Sequence, residues 1–168
     1  MSDRPHNVLF LCTGNSARSI LAESIMNERG KGQFRGFSAG SHPSGQVNPL
    51  ALDLLKSLDF RTEGLRSKSW DEFAGPRGTH FDFVITVCDN AAGEACPVWL
   101  GTPIVAHWGI PDPAAVEGTE MEKKAAFSQA FKAMDRGIKL FLSLPIASMD
   151  QTRIKERMDA IGRTDDAL

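Results

Sequence analysis

Short apolar runs alternate along the chain with longer segments in which apolar residues recur every three or four positions. The runs Val8–Leu11 and Phe81–Val87 are rich in β-branched and aromatic residues, so they predict buried strands. Phe34–Ser38 and Pro103–Ala106 have a similar but weaker character and predict two further strands. The pattern therefore begins with a strand and returns to a strand three more times.

The intervening segments have the period of an amphipathic α-helix. Asn48 and Pro49 suit the cap and the first position of one helix, and Thr119 opens another with the pattern of a capping box. Glycine, lysine and proline residues mark the helix ends. The predicted helices run from about Arg18 to Gly30, from Pro49 to Leu58, from Thr119 to Pro145 and from Asp150 to Ile161, with a short helix near Asp71.

Strands that alternate with helices predict an α/β sandwich around a mainly parallel sheet. Chemistry in such folds collects beyond the carboxyl ends of the strands. Cys12, Ser38, Cys88 and the loop His107–Pro113 each follow a predicted strand, so we expect them at that edge. No repeat or linker interrupts the chain. Residues 1–168 are therefore expected to form a single domain, with a frayed tail at 163–168.

Composition narrows the function further. A net charge of -2 and an isoelectric point near 6.1 give no support for a nucleic-acid partner. There is no apolar stretch long enough for a membrane span and no apolar region typical of a signal peptide, so we expect a cytoplasmic protein. In that reducing compartment, three cysteines favour reactive thiols over structural disulfides.

The stretch Cys12–Ser19, which reads Cys-Thr-Gly-Asn-Ser-Ala-Arg-Ser, joins the first strand to the first helix. Backbone N–H groups at a helix start favour both an anion and a thiolate, and Arg18 suits a bidentate clamp on an oxyanion. The pattern predicts a Cys12 nucleophile of lowered pKa beneath a phosphate-like oxyanion, in preference to an ordinary turn with a buried cysteine. The residues expected to bind the oxyanion are Thr13, Gly14, Asn15, Ser16, Ala17, Arg18 and Ser19.

This stretch resembles the low-molecular-weight protein tyrosine phosphatase superfamily, and most of all its arsenate reductases. The resemblance extends to four further segments: Phe37–Gly40, Val84–Cys88, Cys96-Pro97 and His107–Pro113. The resemblance implies a three-layer sandwich with a four-stranded, mainly parallel sheet flanked by helices. It also implies that Asp112 is the general acid. Displacement by sulfur leaves an oxyanion, and a carboxylic acid held over the loop can protonate it.

Two chemistries share this loop. A phosphatase needs only Cys12, Arg18 and Asp112, with water to complete turnover. A reductase must supply two electrons, and Cys88 and Cys96 offer a pair of thiols that could supply them. Their spacing does not match the usual spacing of zinc ligands. The alternative interpretation of each cysteine is a small, buried apolar residue without a chemical role. Resemblance to the thioredoxin-coupled reductases implies a relay in which Cys88 forms a disulfide with Cys12, releasing arsenite, and Cys96 then forms one with Cys88.

Alanines follow Asp112-Pro113 where tyrosine phosphatases of this fold usually carry a tyrosine, and the chain contains no tyrosine. A cleft without that aromatic side chain suits a small inorganic oxyanion. We therefore predict an arsenate reductase with no tightly bound cofactor and an external thiol donor, either thioredoxin or glutathione with glutaredoxin. The alternatives are a phosphatase that forms a phosphocysteine at Cys12 and a protein that only senses oxyanions, although pure binding needs no acid.

The resemblance also implies a potassium site, whose matching residues here are Asn15, Glu23, Ser38 and Asp71. Oxygen ligands of this kind suit a hard cation. Two of them, Glu23 and Asp71, are equally expected as solvated carboxylates. Lys68 is expected to be exposed. His107 is expected to be structural, because the sequence offers it no carboxylate partner.

Overall fold

In a computed structural model, the protein is described over residues 4–74, 78–88, 99 and 101–163. Its strands are β1 (His6–Cys12), β2 (Phe34–Gly40), β3 (Phe83–Thr86) and β4 (Ile104–His107). Its α-helices are α1 (Arg18–Arg29), α2 (Pro49–Ser57), α3 (Glu120–Leu142) and α4 (Gln151–Gly162). Short 3₁₀ helices lie at Trp70–Phe73, Pro113–Ala115 and Ile146–Ser148.

The four strands form one parallel sheet in the order β2-β1-β3-β4. Its register aligns the carboxyl ends of the strands, because Cys12 lies opposite Gly40, Leu11 opposite Thr86, and Thr86 opposite His107. The parallel sheet flanked by helices confirms the predicted fold class. It also brings the loops after β1, β3 and β4 to one edge.

The two faces of the sheet carry different cores. Val8 and Phe10 point into a large cluster, whereas Leu9 and Leu11 point into a smaller one, and all four are fully buried. A strand buried on both faces is typical of a parallel sheet. Aromatic side chains complete the smaller cluster: Phe37, Trp70, Phe73, Phe81 and Trp99. Each helix from α1 to α4 contributes to the larger cluster, for example through Leu21, Ala51, Phe127 and Ile154.

Side-chain caps explain where two helices begin. Asn48 Oδ1 accepts a hydrogen bond of 2.9 Å from the Leu50 N–H at the start of α2. Thr119 and Glu122 form a reciprocal capping box at the start of α3. Both predicted starts are confirmed. Leu58, in contrast, lies at the cap beyond α2 and is 43% exposed, so its predicted place on the buried stripe is wrong.

Pairing with β1 explains two differences in strand length. β2 extends to Gly40, two residues beyond its predicted end, because its ladder with β1 continues until Cys12. β3 covers only four of the seven residues predicted, since its ladder with β1 involves four register pairs, from Val8 to Leu11. Sheet pairing, rather than the local apolar pattern, sets these ends.

Within the described ranges, we find no helix with the length and apolar character needed to cross a bilayer. Cys96 and the residues after 163 lie outside the described residues. The predictions that concern them therefore stay predictions.

Candidate active site

Neighbouring segments hold the loop between β1 and α1 by its carbonyl groups. The carbonyls of Thr13, Gly14 and Ser16 accept hydrogen bonds of 2.9–3.0 Å from backbone N–H groups in the segment 42–48. The Ser67 hydroxyl donates a further bond of 3.1 Å to the Gly14 carbonyl. The outer surface of the loop is thus paired with protein.

The peptide geometry then sets the inner surface. In a trans peptide, the carbonyl of one residue and the N–H of the next point in opposite directions, and no cis bond occurs in the described ranges. With three carbonyls directed outward, the N–H groups of Gly14, Asn15 and Ala17 are directed inward. The Gly14 N–H donates a hydrogen bond to Cys12. A concave array of N–H groups of this kind binds anions.

Two cysteine thiols that form no disulfide meet at this loop. Cys12 is the last residue of β1 and Cys88 follows β3, and their side chains are hydrogen-bonded to each other. Both residues are buried, with exposures of 5% and 3%. Thr13 Oγ1 lies 3.6 Å from Cys88 Sγ and extends the contact. The sequence predicts a shared sheet edge for the two cysteines, and the fold goes further by placing them in direct contact.

This contact changes the expected acidity of the nucleophile. The hydrogen bond to Cys88, followed by burial, raises the pKa of the Cys12 thiol. The charge of Arg18 and the Gly14 N–H act in the opposite direction and are outweighed. The prediction of a lowered pKa is therefore wrong for the paired thiols, because it considered the loop without the second sulfur.

Arg18 and Asp112 also lie together. The Arg18 guanidinium donates to the Ile110 carbonyl at 2.9 Å through Nη1, and its Nη2 lies 3.6 Å from Asp112 Oδ2. Asp112 caps the 3₁₀ helix Pro113–Ala115, since its Oδ1 accepts a bond of 2.9 Å from the Ala114 N–H. The Asp112 side chain is 40% exposed and that of Arg18 is 15% exposed. The carboxyl is therefore accessible while it stays within reach of the loop.

A groove of about 680 Å³ runs beside Asp112, between the loop that carries it and α3. Its walls include Ile110, Val116, Ala130 and Ala133, and no aromatic side chain lines it among the described residues. No residue of the loop Cys12–Ser19 lines this groove, so the expected absence of an aromatic wall around the substrate stays a prediction.

Behind the loop, Asn15 connects it to the rest of the fold. Its backbone has φ 46°, a left-handed conformation that asparagine tolerates better than most residues. The fully buried side chain accepts a bond of 2.9 Å from the Lys68 N–H and donates one of 2.8 Å to Ser19 Oγ. Both ends of the Asn15 amide are thus used by the protein. Ser19 is likewise fully buried, so its hydroxyl supports the loop from behind.

Lys68 is 8% exposed, so its predicted exposure is wrong. Its Nζ donates to the Arg66 carbonyl at 2.9 Å and to Ser38 Oγ at 3.3 Å, and lies 3.5 Å from Glu23 Oε1. The Ser38 hydroxyl in turn donates to Glu23. The surroundings explain the burial, because an ammonium group has three N–H donors and each finds an oxygen here.

These contacts test the potassium site that the resemblance implies. Lys68 already contacts two of the four expected ligands, Glu23 and Ser38, while Asp71 is exposed. Burial raises the pKa of Glu23 and lowers that of Lys68, and the opposite charge of each partner limits both shifts. The residues present therefore do not fit a potassium ion, since a lysine ammonium contacts the oxygens that would bind it.

Gly40 is a supporting residue that the sequence reasoning missed. A Cβ at this position would lie 2.4 Å from the Thr13 carbonyl oxygen and 2.9 Å from that of Cys12, so only glycine lets β2 pass this close to the loop. Its place at the end of β2, the strand next to the one that carries Cys12, is the feature of the sequence that could have indicated this role. At Gly14, a Cβ would meet only Ser16 Oγ, at 3.8 Å. Contacts within the protein therefore do not require glycine at Gly14.

His107, the last residue of β4, and Trp108, which follows it, have structural roles. His107 Nδ1 lies 2.7 Å from Thr86 Oγ1, in agreement with its predicted structural role. Trp108 is buried, and its Nε1 donates to the Met158 carbonyl at 2.9 Å. The Trp108 ring therefore packs between the sheet and α4 and takes no part in lining the groove.

The fold and this loop define a class of enzymes in which a cysteine at the end of a parallel strand attacks a tetrahedral oxyanion. Comparison with known proteins identifies the family within that class. The family model for low molecular weight phosphotyrosine protein phosphatase matches residues 7–156. The chain belongs to this family.

Several relatives that are similar to this chain are arsenate reductases. One from Halalkalibacterium halodurans is 34% identical over 134 residues, which is 80% of this chain and 93% of the relative. The crystal structure of an arsenate reductase from Archaeoglobus fulgidus is 25% identical with a TM-score of 0.58, covering 79% of this chain and 98% of that one. A thioredoxin-dependent arsenate reductase from Corynebacterium glutamicum shares the fold at 22% identity and a TM-score of 0.56. The match covers 83% of this chain and 65% of that one.

Proposed function

We propose that this protein reduces arsenate to arsenite, with Cys12 as the nucleophile and Cys88 as the second thiol. The contact between these two sulfurs carries the proposal, because hydrolysis of a phosphomonoester requires one thiol and reduction requires two. The likeness to arsenate reductases over most of the chain supports the same conclusion. In this account, residues 1–168 act as one domain.

The oxyanion binds on the inner side of the loop Thr13–Ser19, where the backbone N–H groups and Arg18 surround it. Arg18 is held in place by the Ile110 carbonyl, which directs its second amino group towards Asp112. Asp112 is accessible from solvent and serves as the general acid. The placement of Arg18 and Asp112 beside the loop supports these proposed roles.

In the first step, the Cys12 proton passes to the arsenate dianion as it binds, since the paired thiol holds its proton in the resting enzyme. The thiolate then attacks arsenic, forming a sulfur–arsenic bond. One arsenic–oxygen bond breaks, and the leaving oxygen takes a proton from Asp112 and departs as water. Arsenic remains pentavalent at this stage.

In the second step, the Cys88 sulfur attacks Cys12 Sγ. A disulfide forms, the sulfur–arsenic bond breaks, and its electron pair stays on arsenic, which leaves as trivalent arsenite with the Cys88 proton. The two thiols are already in contact, so this step requires little movement of the chain. Cys96 then attacks Cys88, which frees Cys12 and leaves a Cys88–Cys96 disulfide for an external donor.

A dithiol donor of the thioredoxin type supplies the two electrons in this proposal. The thioredoxin dependence of the Corynebacterium glutamicum enzyme of the same fold supports this choice over glutathione with glutaredoxin. A cytoplasmic location agrees with such donors, which keep cysteines reduced. The proposal includes no tightly bound cofactor.

A pair of assays tests the proposal. The protein is incubated with arsenate, thioredoxin, thioredoxin reductase and NADPH, and in parallel with p-nitrophenyl phosphate. We expect arsenate-dependent NADPH oxidation that falls to background in both Cys88→Ser and Cys12→Ser. Hydrolysis of the phosphate ester should fall only in Cys12→Ser, which provides the matched control.

Undiminished NADPH oxidation in Cys88→Ser would remove Cys88 from the reaction. Rapid hydrolysis of p-nitrophenyl phosphate without any arsenate-dependent oxidation would instead favour a phosphatase.

A further inference from the structure

A cluster of buried polar groups lies behind the loop, and in it a lysine contacts oxygens that are expected to bind potassium. Lys68 Nζ lies 3.5 Å from Glu23 Oε1 and 3.3 Å from Ser38 Oγ. Its third contact is the Arg66 carbonyl at 2.9 Å. An ammonium group and a potassium ion carry the same charge and have similar radii, so both can satisfy the same set of oxygens.

We propose that the Lys68 ammonium is a tethered cation that replaces potassium and positions the oxyanion loop, which makes the protein independent of alkali cations. The proposal rests on the proposed function only in taking the loop to bind an oxyanion. Lys68 touches neither the oxyanion nor the reacting sulfurs, so it is a positioning residue.

The path from this ammonium to the loop is short and buried. The Lys68 N–H donates to Asn15 Oδ1, and the Lys68 carbonyl accepts a bond of 2.9 Å from the Gly40 N–H. Gly40 in turn lies against the Thr13 carbonyl. Movement of the Lys68 backbone would therefore displace the left-handed turn at Asn15, whose neighbouring N–H groups face the oxyanion.

The ammonium also balances a buried charge. The Glu23 side chain is 14% exposed, and an ionised carboxylate at that depth is costly unless a cation accompanies it. A soluble ion would supply that charge only when it is bound, whereas the lysine supplies it permanently. The side chain and the backbone of residue 68 act on separate partners, so truncation of the side chain removes the cation and leaves the Asn15 and Gly40 contacts available.

This separation allows a cation-rescue experiment. Thermal unfolding and the binding of inorganic phosphate are measured at equal ionic strength in choline chloride, sodium chloride, potassium chloride and ammonium chloride. The proteins are the wild type, Lys68→Ala, Lys68→Met and the surface control Lys31→Ala, whose lysine is exposed. Neither readout depends on arsenate turnover, so failure here is distinguishable from failure of the proposed reductase activity.

We expect the same transition temperature and phosphate affinity for the wild type and Lys31→Ala in all four salts. In choline chloride, Lys68→Ala should melt roughly 6–20 °C lower, the range for breaking a buried ion pair in a chain of this size. Its phosphate affinity should fall by about fivefold or more, and potassium or ammonium should restore both values. Lys68→Met should be impaired without rescue, because its side chain fills the space.

Two results, one for the wild type and one for Lys68→Met, would each overturn the proposal. If potassium raises the stability or phosphate affinity of the wild type, Lys68 does not replace that ion. If Lys68→Met binds phosphate and melts like the wild type, the ammonium charge is not needed.

Should Lys68→Ala fail to fold in every salt, the double variant Lys68→Ala with Glu23→Gln lacks the buried charge and should fold without any response to potassium. A double variant that still required potassium would contradict the charge-balancing role.

Discussion

The loop Cys12–Ser19 has two sides that differ in packing and in chemistry. Its supporting side is buried and closely bonded, with Asn15 held between Lys68 and Ser19 by hydrogen bonds of 2.9 and 2.8 Å. Its reacting side is looser, since the Arg18 and Asp112 groups are 3.6 Å apart and the Asp112 side chain is 40% exposed. The sulfur of Cys12 lies between the two sides.

This difference corresponds to what each side has to do in the proposed reaction. Binding and stabilisation of an oxyanion require N–H groups that are already in place, so the support has to stay fixed through the reaction. The thiols and the acid must change partners during turnover, so they cannot be locked by strong contacts. We therefore expect changes on the reacting side to affect rate, and changes on the supporting side to affect stability.

Among changes that leave the cysteines in place, the largest effect is expected for Asp112→Asn. Loss of the general acid should lower arsenate turnover about 10²–10⁴-fold, the usual contribution of such a group. Asparagine caps helices as well as aspartate does, so the unfolding temperature and phosphate binding should stay near the wild-type values. Steady-state kinetics and calorimetry measure these quantities. Asp150→Asn, at the cap of α4, is the matched control and should leave turnover unchanged.

Equal turnover in Asp112→Asn and Asp150→Asn would remove Asp112 from the reaction. A large loss of stability in Asp112→Asn would show that the two sides of the loop do not differ as described.

On the supporting side, Asn15→Ala should lower the free energy of unfolding by about 1–3 kcal/mol, because it leaves the buried Lys68 N–H without its acceptor. Asn15→Gly removes the same bonds but tolerates the positive φ, so it should cost less than Asn15→Ala. Urea unfolding measures both. If Asn15→Gly is as stable as the wild type, the two hydrogen bonds contribute nothing and the support lies elsewhere.

Between the two sides, Cys88→Ala should make Cys12 more acidic. The hydrogen bond to Cys88 is the largest cause of the raised pKa of Cys12, while Arg18 and the Gly14 N–H would still favour the thiolate. Alkylation of Cys12 by iodoacetamide, followed by mass spectrometry across a pH series, should therefore rise at lower pH in the variant than in the wild type. A shift to higher pH would mean that Cys88 stabilises the thiolate by donating its S–H.

The smallest effect is expected at the exposed rim of the support, where Arg66 and Glu72 form a bidentate pair at 2.8 Å. The Arg66 hydrogen bond and charge lower the pKa of Glu72, so the stabilisation is present above the unfolded pKa of about 4.5 and is lost as the pH falls through the lower folded pKa. Because the pair is exposed, Glu72→Gln should cost only about 0.2–1 kcal/mol at pH 7. Urea unfolding at pH 7 and pH 3 tests this: a difference that persists undiminished at pH 3 would contradict the ion pair.

Local patterns in the sequence were sufficient to predict the strands, two helix starts and the junction that contains the oxyanion loop. The apolar runs predicted four strands, and the caps at Asn48 and Thr119 located two helix starts, because these signals depend on neighbouring residues alone. The Cys12–Arg18 spacing likewise predicted a strand–loop–helix junction, which is what the structure contains.

Features that depend on residues brought together from distant parts of the chain were not predictable in the same way. The burial of Lys68 depends on Glu23 and Ser38, which lie on other elements, so nothing in its own segment indicated it. The raised pKa of Cys12 depends on the proximity of Cys88, which the sheet register creates. The exposure of Lys68 and the pKa of Cys12 thus depend on partners that neither the residue type nor the neighbouring sequence identifies.

The most direct test of the thiol relay between Cys12 and Cys88 is a single turnover in the variant Cys96→Ser without any external thiol. The reduced protein is mixed with excess arsenate, quenched in acid, and analysed for arsenite and for disulfide-linked peptides. The proposed relay predicts about one arsenite per protein molecule, together with a disulfide between Cys12 and Cys88. Arsenite formation without that disulfide, or no arsenite at all from a folded protein that binds phosphate, would contradict it.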